Sequence, residues 1–412
     1  MNIPSNATLE KIYGESTVSG ARYASLAENF EKEFHSTEMD FFTAPGRTEI
    51  VGNHTDHNGG KVIAASITLD TIGAAAATDN NVINVISEGY RPITIELDQI
   101  DSIPKEAGTI SLIAGMVEAM KKFGYQVGGF NLYASTTVIG AAGISSSASF
   151  EMLICSVLNY FYNDNKIPYS DYARIGQYSE NNWWNKASGL MDQMACAVGG
   201  AIELDFAGEI QYDQINFDLA KHGYSMVITN TGGSHADLSE DYSAIPREMR
   251  EVAAVFGKER LCEITMDELL DRLPEVIEKV GNDRAVLRAF HFLEENERVE
   301  AMADAIRGDK IEDILALLTA SGNSSYKFLQ NCYPLTDWKV QKIGLGLVLT
   351  EHFLKEVGAG CCRVHGGGFA GVIQTMVRTS DLDAYVEYMS KYFGKDNVYP
   401  MNVRNTGAVH VE

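Results

Sequence analysis

The chain is short of positive charge, has few cysteines and lacks any long apolar run, and each shortage removes a class of function. Lysine and arginine total 33 against 56 aspartates and glutamates, a formal charge of −23 over 412 residues. So acidic a chain repels the phosphates of nucleic acid and of anionic lipid, and neither is expected as a partner. No stretch reaches the roughly 18 uninterrupted apolar residues that a membrane helix requires. Positions 62–77 come nearest, and Asp70 and several polar residues interrupt them. The N-terminus, MNIPSNATLEKIYGE, has no basic region followed by an apolar one, so no signal peptide is expected. Cys155, Cys196, Cys262, Cys332, Cys361 and Cys362 form no CxxC pair and have no histidine at zinc-ligand spacing. They are expected to be reduced thiols, mostly core filler, in a cytoplasmic protein. There is also no GxxxxGK[ST], hence no Walker A loop. Any phosphate ligand must be met by backbone N–H groups, a metal ion and a few cations.

What is present is an ordinary globular balance, 45% apolar and 22% charged, in a chain long enough for two domains. Helical spacing marks 8–35, 109–123, 150–162, 169–185 and 190–197, then 240–256, 283–307, 311–323 and 339–357. Strands are expected at 41–43, 62–70, 74–78, 82–87, 93–97, 130–136, 201–205, 224–230, 360–365 and 371–377, followed by a helix, a strand and a C-terminal strand. This mixture predicts an α+β protein rather than a strict βαβ alternation. The boundary is expected near 206–222, giving domains 1–210 and 211–412.

Three segments carry chemistry. Residues 44–60, APGRTEIVGNHTDHNGG, crowd Arg47, His54, Asp56, His57 and Asn58 into one loop. Such a set suits a polyhydroxyl ligand, since Asp accepts and His and Asn both donate and accept. The same composition also fits a polar hairpin closed by an NGG turn. Residues 140–149, GAAGISSSAS, run a small-residue loop into a helix, where backbone N–H groups and the helix dipole favour an anion and serine hydroxyls suit phosphate or Mg²⁺. A plain serine N-cap is the other reading. Residues 365–371, HGGGFAG, place three consecutive glycines between two strands, as in a tight hairpin or a close approach to a ligand. Between the last two lies 189–193, GLMDQ, with Asp192 alone among apolar neighbours.

In this order the four segments resemble the GHMP kinases, and within them the galactokinase family. The opening segment resembles that family's PGR followed by a G-E-H-T-D-Y-N-x-G pattern, the serine-rich stretch its ATP loop, and the glycine run its C-terminal GGGFGG. The stretch 230–250 is similar to the one carrying the family's sugar-contacting Tyr. The resemblance implies a ribosomal-S5-like N-terminal domain, an α+β C-terminal domain and an active site in the cleft. It implies ATP and Mg²⁺ as cofactors, a small sugar as partner, and transfer of the γ-phosphoryl group to the anomeric hydroxyl of D-galactose. Nothing in it requires more than a monomer.

By position, Asp192 and Arg47 match the catalytic residues. Asn53, His54, Asp56, Gly189 and Tyr242 match sugar contacts. Gly143, Ser145, Ser146, Ser147, Gly366, Gly367 and Gly368 match the ATP site, with Ser146 and Glu180 as Mg²⁺ ligands. The chain departs from the family at Asn53 (Glu there), His57 (Tyr), and Ala141, Ala142 and Ala370 (Gly). Asn53 is expected to weaken one charge-assisted hydrogen bond and to remove the like-charge penalty against a uronic acid. Galacturonate, L-arabinose or an N-acetylated amino sugar therefore stand as alternative substrates, and a non-catalytic sugar- and ATP-sensing relative as an alternative role. Ser147-Ala148, Asp192 and Arg47 disfavour the sensor, and HTDHNGG disfavours another branch such as mevalonate kinase.

Overall fold

The computed structural model describes residues 3–140, 143–186, 188–232, 238–335, 337–369 and 371–412. Ser5 caps the first helix, Asn6–Tyr13, by accepting from the Thr8 amide at 3.2 Å, and Gly14, at φ 73°, ends it. The second, Thr17–Phe34, buries Tyr23, Leu26, Ala27 and Phe30 at the spacing of one helical face. That face packs on a sheet built from β1 (Asp40–Val51), β2 (Lys61–Thr78), β3 (Val82–Ser87), β4 (Ile93–Glu96), β5 (Gly129–Thr136), β6 (Ala201–Asp205) and β7 (Gln211–Ile215). Successive residues of β1 serve opposite faces. Phe41 joins Tyr23 and Phe30, whereas Phe42 joins Met116, Met120, Met152, Leu153 and Val157 from the helices Thr109–Lys122 and Ser146–Tyr162.

The stretches expected as separate strands at 62–70 and 74–78 are one strand, β2. The charge that interrupts the apolar pattern, Asp70, does not interrupt the strand because it is fully partnered. Its Oδ1 accepts from Arg22, and its Oδ2 accepts from Arg404, Thr43 and Tyr13, each at 2.7 Å. β2 pairs along its length with β1, with β6 at its start and with β5 at its end. β1 bulges between Pro45 and Arg47 and again between Glu49 and Val51, and bulges re-aim side chains.

A second, antiparallel sheet follows, with β8 (Tyr224–Asn230), β9 (Cys361–Val364), β10 (Val372–Arg378) and β11 (Val398–Met401) in the order β11-β8-β10-β9. One face packs Val227, Ile373 and Val377 against Phe353, Tyr385 and Met389. The other packs Met226, Ile228 and Met376 against Val299, Met302 and Leu318, and the same cluster takes in Ile50, Val51, Ile63 and Ile67 from the first sheet. The two sheets thus share a core. The last strand, β12 (Val409–Val411), returns to pair with β1.

The α+β class expected from the sequence holds. The sheets, however, do not divide at 210: β7 and β12 lie beyond it and both join the first sheet. Two helices, Met266–Asp271 and Leu273–Val280, were not expected. The cysteines are free thiols, four of them buried. Among the described residues no helix is long and apolar enough to cross a membrane.

Candidate active site

The site forms where the first bulge of β1 meets the small-residue loop. Gly46 has no room for a side chain, since a Cβ there would lie 2.8 Å from the Ile144 carbonyl oxygen. The next residue, Arg47, donates its amide to Ile144 O at 3.1 Å and its Nη1 to Gly143 O. Its Nε and Nη2 grip Asp192 Oδ1 and Oδ2 at 2.7 and 2.6 Å, a bidentate pair. Asp192 sits in the first turn of the helix Met191–Val198, and Ser145 also donates to its Oδ2. Burial alone would raise the Asp192 pKa, but the Arg47 charge and these hydrogen bonds outweigh it and hold the carboxyl at about 2.

Ser145 occupies the N-cap position of Ser146–Tyr162 without capping it: at φ 57° and ψ 62° its hydroxyl turns to Asp192 instead. The plain cap reading therefore does not hold, and the Ser145 side chain leaves the amides of the first turn uncapped. Ser146 and Ser147 line a cavity of about 640 Å³ with Thr109, Phe150, Tyr90 and Trp184. Ser147 donates to Glu180 Oε1 at 3.0 Å, and Glu180, in Tyr169–Trp183, is 1% exposed. Lys186 Nζ reaches the same oxygen at 2.6 Å, and Gln193 donates to Glu180 Oε2 at 3.3 Å and to Glu151 Oε2 at 3.1 Å. Burial, with Glu180 beside it, raises the Glu151 pKa well above the usual range. Ala141 and Ala142 of the loop lie outside the described residues.

A second pocket, of about 200 Å³, adjoins Asp192 and is lined by Glu49, His54, Asp56, Lys186 and Gly189 among others. A Cβ on Gly189 would lie 3.1 Å from Asp56 Oδ2, so glycine lets the aspartate approach. His54, at φ 60°, donates Nε2–H to Gly367 O at 2.9 Å. Burial lowers its pKa to about 3, so the ring is neutral and Nδ1 is left as an acceptor. Asn53 is fully buried and its amide is already committed. Nδ2 donates to Glu49 Oε1 at 2.9 Å and to Gly366 O, while Oδ1 accepts from Asn331 at 2.7 Å. Helix Asp283–Arg307 holds this turn from the other sheet's side: His291 Nε2 donates to Asn53 O at 2.9 Å, and Glu295 accepts from the Gly52 amide at 3.1 Å.

The structure thus brings Asp192, Arg47, Ser145, His54, Asp56 and Gly189 together, with Gly143, Ser146, Ser147 and Glu180 beside them. The glycine run sits differently from its expected place. Gly366, Gly367 and Gly368 offer their carbonyls to Asn53, His54 and Tyr242, the last at 2.8 Å, and Gly367 lines the smaller pocket rather than the larger cavity. Tyr242, in Ser239–Val255, packs behind that run, its ring 5.2 Å from Phe369. Ala370 lies outside the described residues. Glu49 and Lys186 were not singled out from the sequence. Glu49 sits within the polar segment itself, but no motif flags Lys186.

Two family models match this chain, the galactokinase galactose-binding signature over residues 28–77 and the GHMP kinases N terminal domain over 111–200. The galactokinase of Lactococcus lactis subsp. lactis (strain IL1403) is 29% identical over 385 residues, 92% of this chain and 93% of that protein. The galactokinase of Clostridium tetani is 29% identical over 90% of this chain and 92% of its own length. A crystal structure of Lactococcus lactis galactokinase complexed with galactose superposes with a TM-score of 0.79 at 27% identity, covering 94% of this chain and 99% of that one. Methanococcus jannaschii mevalonate kinase, at 15% identity and a TM-score of 0.62, shares the fold. With the Arg47–Asp192 pair, the serine-led helix and the turn that follows β1 arranged around one cleft, the chain carries the galactokinase galactose-binding signature and the GHMP kinase N terminal domain and is similar to galactokinases over most of its length.

Proposed function

We propose that this protein is an ATP-dependent galactose 1-kinase, with the sugar in the smaller pocket and the nucleotide in the larger cavity. The observation that carries this is the clamped Asp192, which lines the smaller pocket with its side chain 28% exposed and accepts from Ser145, the residue just before the Ser146 and Ser147 that line the larger cavity. The anomeric hydroxyl donates to Asp192. As its oxygen bonds to the γ-phosphorus, the bond from that phosphorus to the β,γ-bridging oxygen breaks and the hydroxyl proton passes to Asp192. A carboxylate held at about 2 is a weak base, so its main work is to orient the hydroxyl and to take the proton late. Asp56 and the His54 Nδ1 supply acceptors for the ring hydroxyls.

The uncapped amides of Ser146–Tyr162 suit phosphate oxygens, and Tyr90 and Trp184 give the cavity aromatic walls for a base. Mg²⁺ would draw on hard oxygens, the buried Glu180 carboxylate, which Ser147 contacts at 3.0 Å, and the hydroxyl of the adjacent Ser146, together with phosphate. Among the described residues no cluster of three or more His, Cys, Asp or Glu exists to bind a metal without that help. When bound, Mg²⁺ would neutralise charge on the phosphates.

One observation bears on the sugar. Asn53 has no free donor for a distal hydroxyl, but Glu49 lines the pocket beside it, with Oε1 on Asn53 and no partner for Oε2 among the described residues. The carboxyl missing at position 53 is thus supplied from position 49, where Arg363 pairs with its Oε1 at 3.2 Å, and its Oε2 offers a distal hydroxyl the acceptor that a uronic acid carboxylate would not use. This favours galactose over galacturonate. The test is ATP consumption with galactose, galacturonate, L-arabinose, N-acetylgalactosamine and glucose. Galactose should give the highest kcat/KM. No turnover with any of them, or a preference for galacturonate of about tenfold, sinks the reading.

A further inference from the structure

One cation in the cleft has no assigned work. The Lys186 amide is fixed to the Glu180 carbonyl at 3.0 Å where the helix Tyr169–Trp183 ends, so the base of the side chain is anchored. Its Nζ stands 2.6 Å from Glu180 Oε1, yet the side chain is 51% exposed and lines the sugar pocket with Asp192 and Gly189. It therefore shares the Glu180 oxygen with Ser147, which lines the larger cavity, while its own side chain lines the smaller pocket beside Asp192. It is the one lysine or arginine among the residues lining that pocket. Arg47 is poorly placed to substitute, since Nε and Nη2 are committed to Asp192 and Nη1 to the Gly143 carbonyl.

The acidity around Lys186 gives it two alternative partners. Glu180 is its partner in the free protein, and Asp192 and Glu151 add negative potential nearby. A divalent cation on Glu180 would displace the ammonium by like-charge repulsion, and the anchored four-carbon stem leaves it within the cleft. A transferring phosphoryl group, with charge on its equatorial oxygens, is then the strongest anion in reach.

We propose that Lys186 is a switching cation of the phosphoryl-transfer site: it neutralises Glu180 in the free enzyme and moves to the transferring phosphoryl group once a metal ion takes that carboxylate. This rests on the kinase reading above. Replacing Lys186 with Met keeps the stem and removes the charge. Two measurements are needed: kcat with galactose and ATP, and Mn²⁺ affinity by electron paramagnetic resonance in the presence of β,γ-imido-ATP. The expected results for Lys186→Met are a kcat lowered by about fivefold or more, as for loss of a charge stabiliser, and tighter Mn²⁺ binding because a competitor is gone. Lys186→Arg should recover part of the lost kcat. A lysine serving only as a structural counter-ion would lower thermal stability and leave both readouts unmoved. A smaller fall in kcat, or Mn²⁺ binding that is unchanged or weaker, overturns the proposal. If the wild-type protein turns over no sugar, the kinase reading has failed, and the Mn²⁺ measurement alone still decides whether Lys186 holds the metal's carboxylate.

Discussion

At the scale of single residues, the Arg47–Asp192 pair dominates. Asp192→Asn and Arg47→Ala should each lower kcat by about 10²-fold or more, the usual cost of losing a positioned acid–base group or a charge stabiliser. Both variants should keep the native circular dichroism spectrum, because the carboxylate is open to the pocket. The low pKa also makes a pH prediction. With a folded value of about 2, Asp192 is ionised throughout the neutral range, so it gives no acid limb to kcat between about pH 5 and 8. Its folded value lies below that of the unfolded chain. Its contribution to stability is therefore present above about pH 4 and lost as pH falls toward 2. Arg47, His54 and Asp56 were legible because they stand in a dense local pattern, whereas Asp192, alone among apolar neighbours, was marked only by the family resemblance. Lys186 and Glu49 were not legible, because their roles come from partners at positions 180 and 53 that only the folded chain makes specific.

At the scale of elements, the glycine run joins the two sheets through its carbonyls. Gly368 has φ 77°, and a Cβ there would lie 2.1 Å from the Asn331 carbonyl oxygen. Gly368→Ala should destabilise the protein by about 1–3 kcal/mol or more, read as a lower urea midpoint. It should also raise the KM for the sugar by displacing Tyr242 and the His54 turn. Gly140→Ala, where a Cβ meets nothing within 4 Å, should leave stability unchanged. Most elements were visible in the apolar periodicity, including the long helix Asp283–Arg307 and the hairpin-like pair β9 and β10. The join of two expected strands into β2 was hidden. An aspartate in an apolar run reads as an interruption until Arg22 and Arg404, far away in sequence, are seen to neutralise it.

At the scale of the whole molecule, Asp70 ties the ends of the chain together. Arg404 and Asp70 are both fully buried, and the pair holds the segment leading to β12 against the first sheet. Arg404→Met leaves a buried carboxylate with one cation fewer and should cost about 3–5 kcal/mol in chemical denaturation. His365, which pairs with Thr48 across the two sheets at 2.9 Å, has its pKa pushed down to about 3 by burial, and His291 is lowered by the same cause. The unfolded chain protonates His365 below about pH 6.5, while the folded one does so only near 3. Stability should therefore fall as pH drops from about 6.5 toward 3, by about 1.4 kcal/mol per unit for His365, and the lowered His291 acts in the same direction. The urea midpoint at pH 5 should accordingly lie below that at pH 7. The sequence did not predict that β7 and β12 return to the first sheet, since strand pairing across the length of the chain leaves no local mark.

The central claim is that Asp192, clamped by Arg47, orients a galactose hydroxyl for transfer from ATP. The most direct test is ³¹P NMR of the products formed from D-galactose and Mg²⁺-ATP by the wild-type and Asp192→Asn proteins, compared at equal concentration. The account predicts ADP and an anomeric sugar phosphate in equal amounts from the wild type, and loss of about 10²-fold or more of that rate in the variant. An Asp192→Asn protein that forms galactose 1-phosphate at close to the wild-type rate would contradict it.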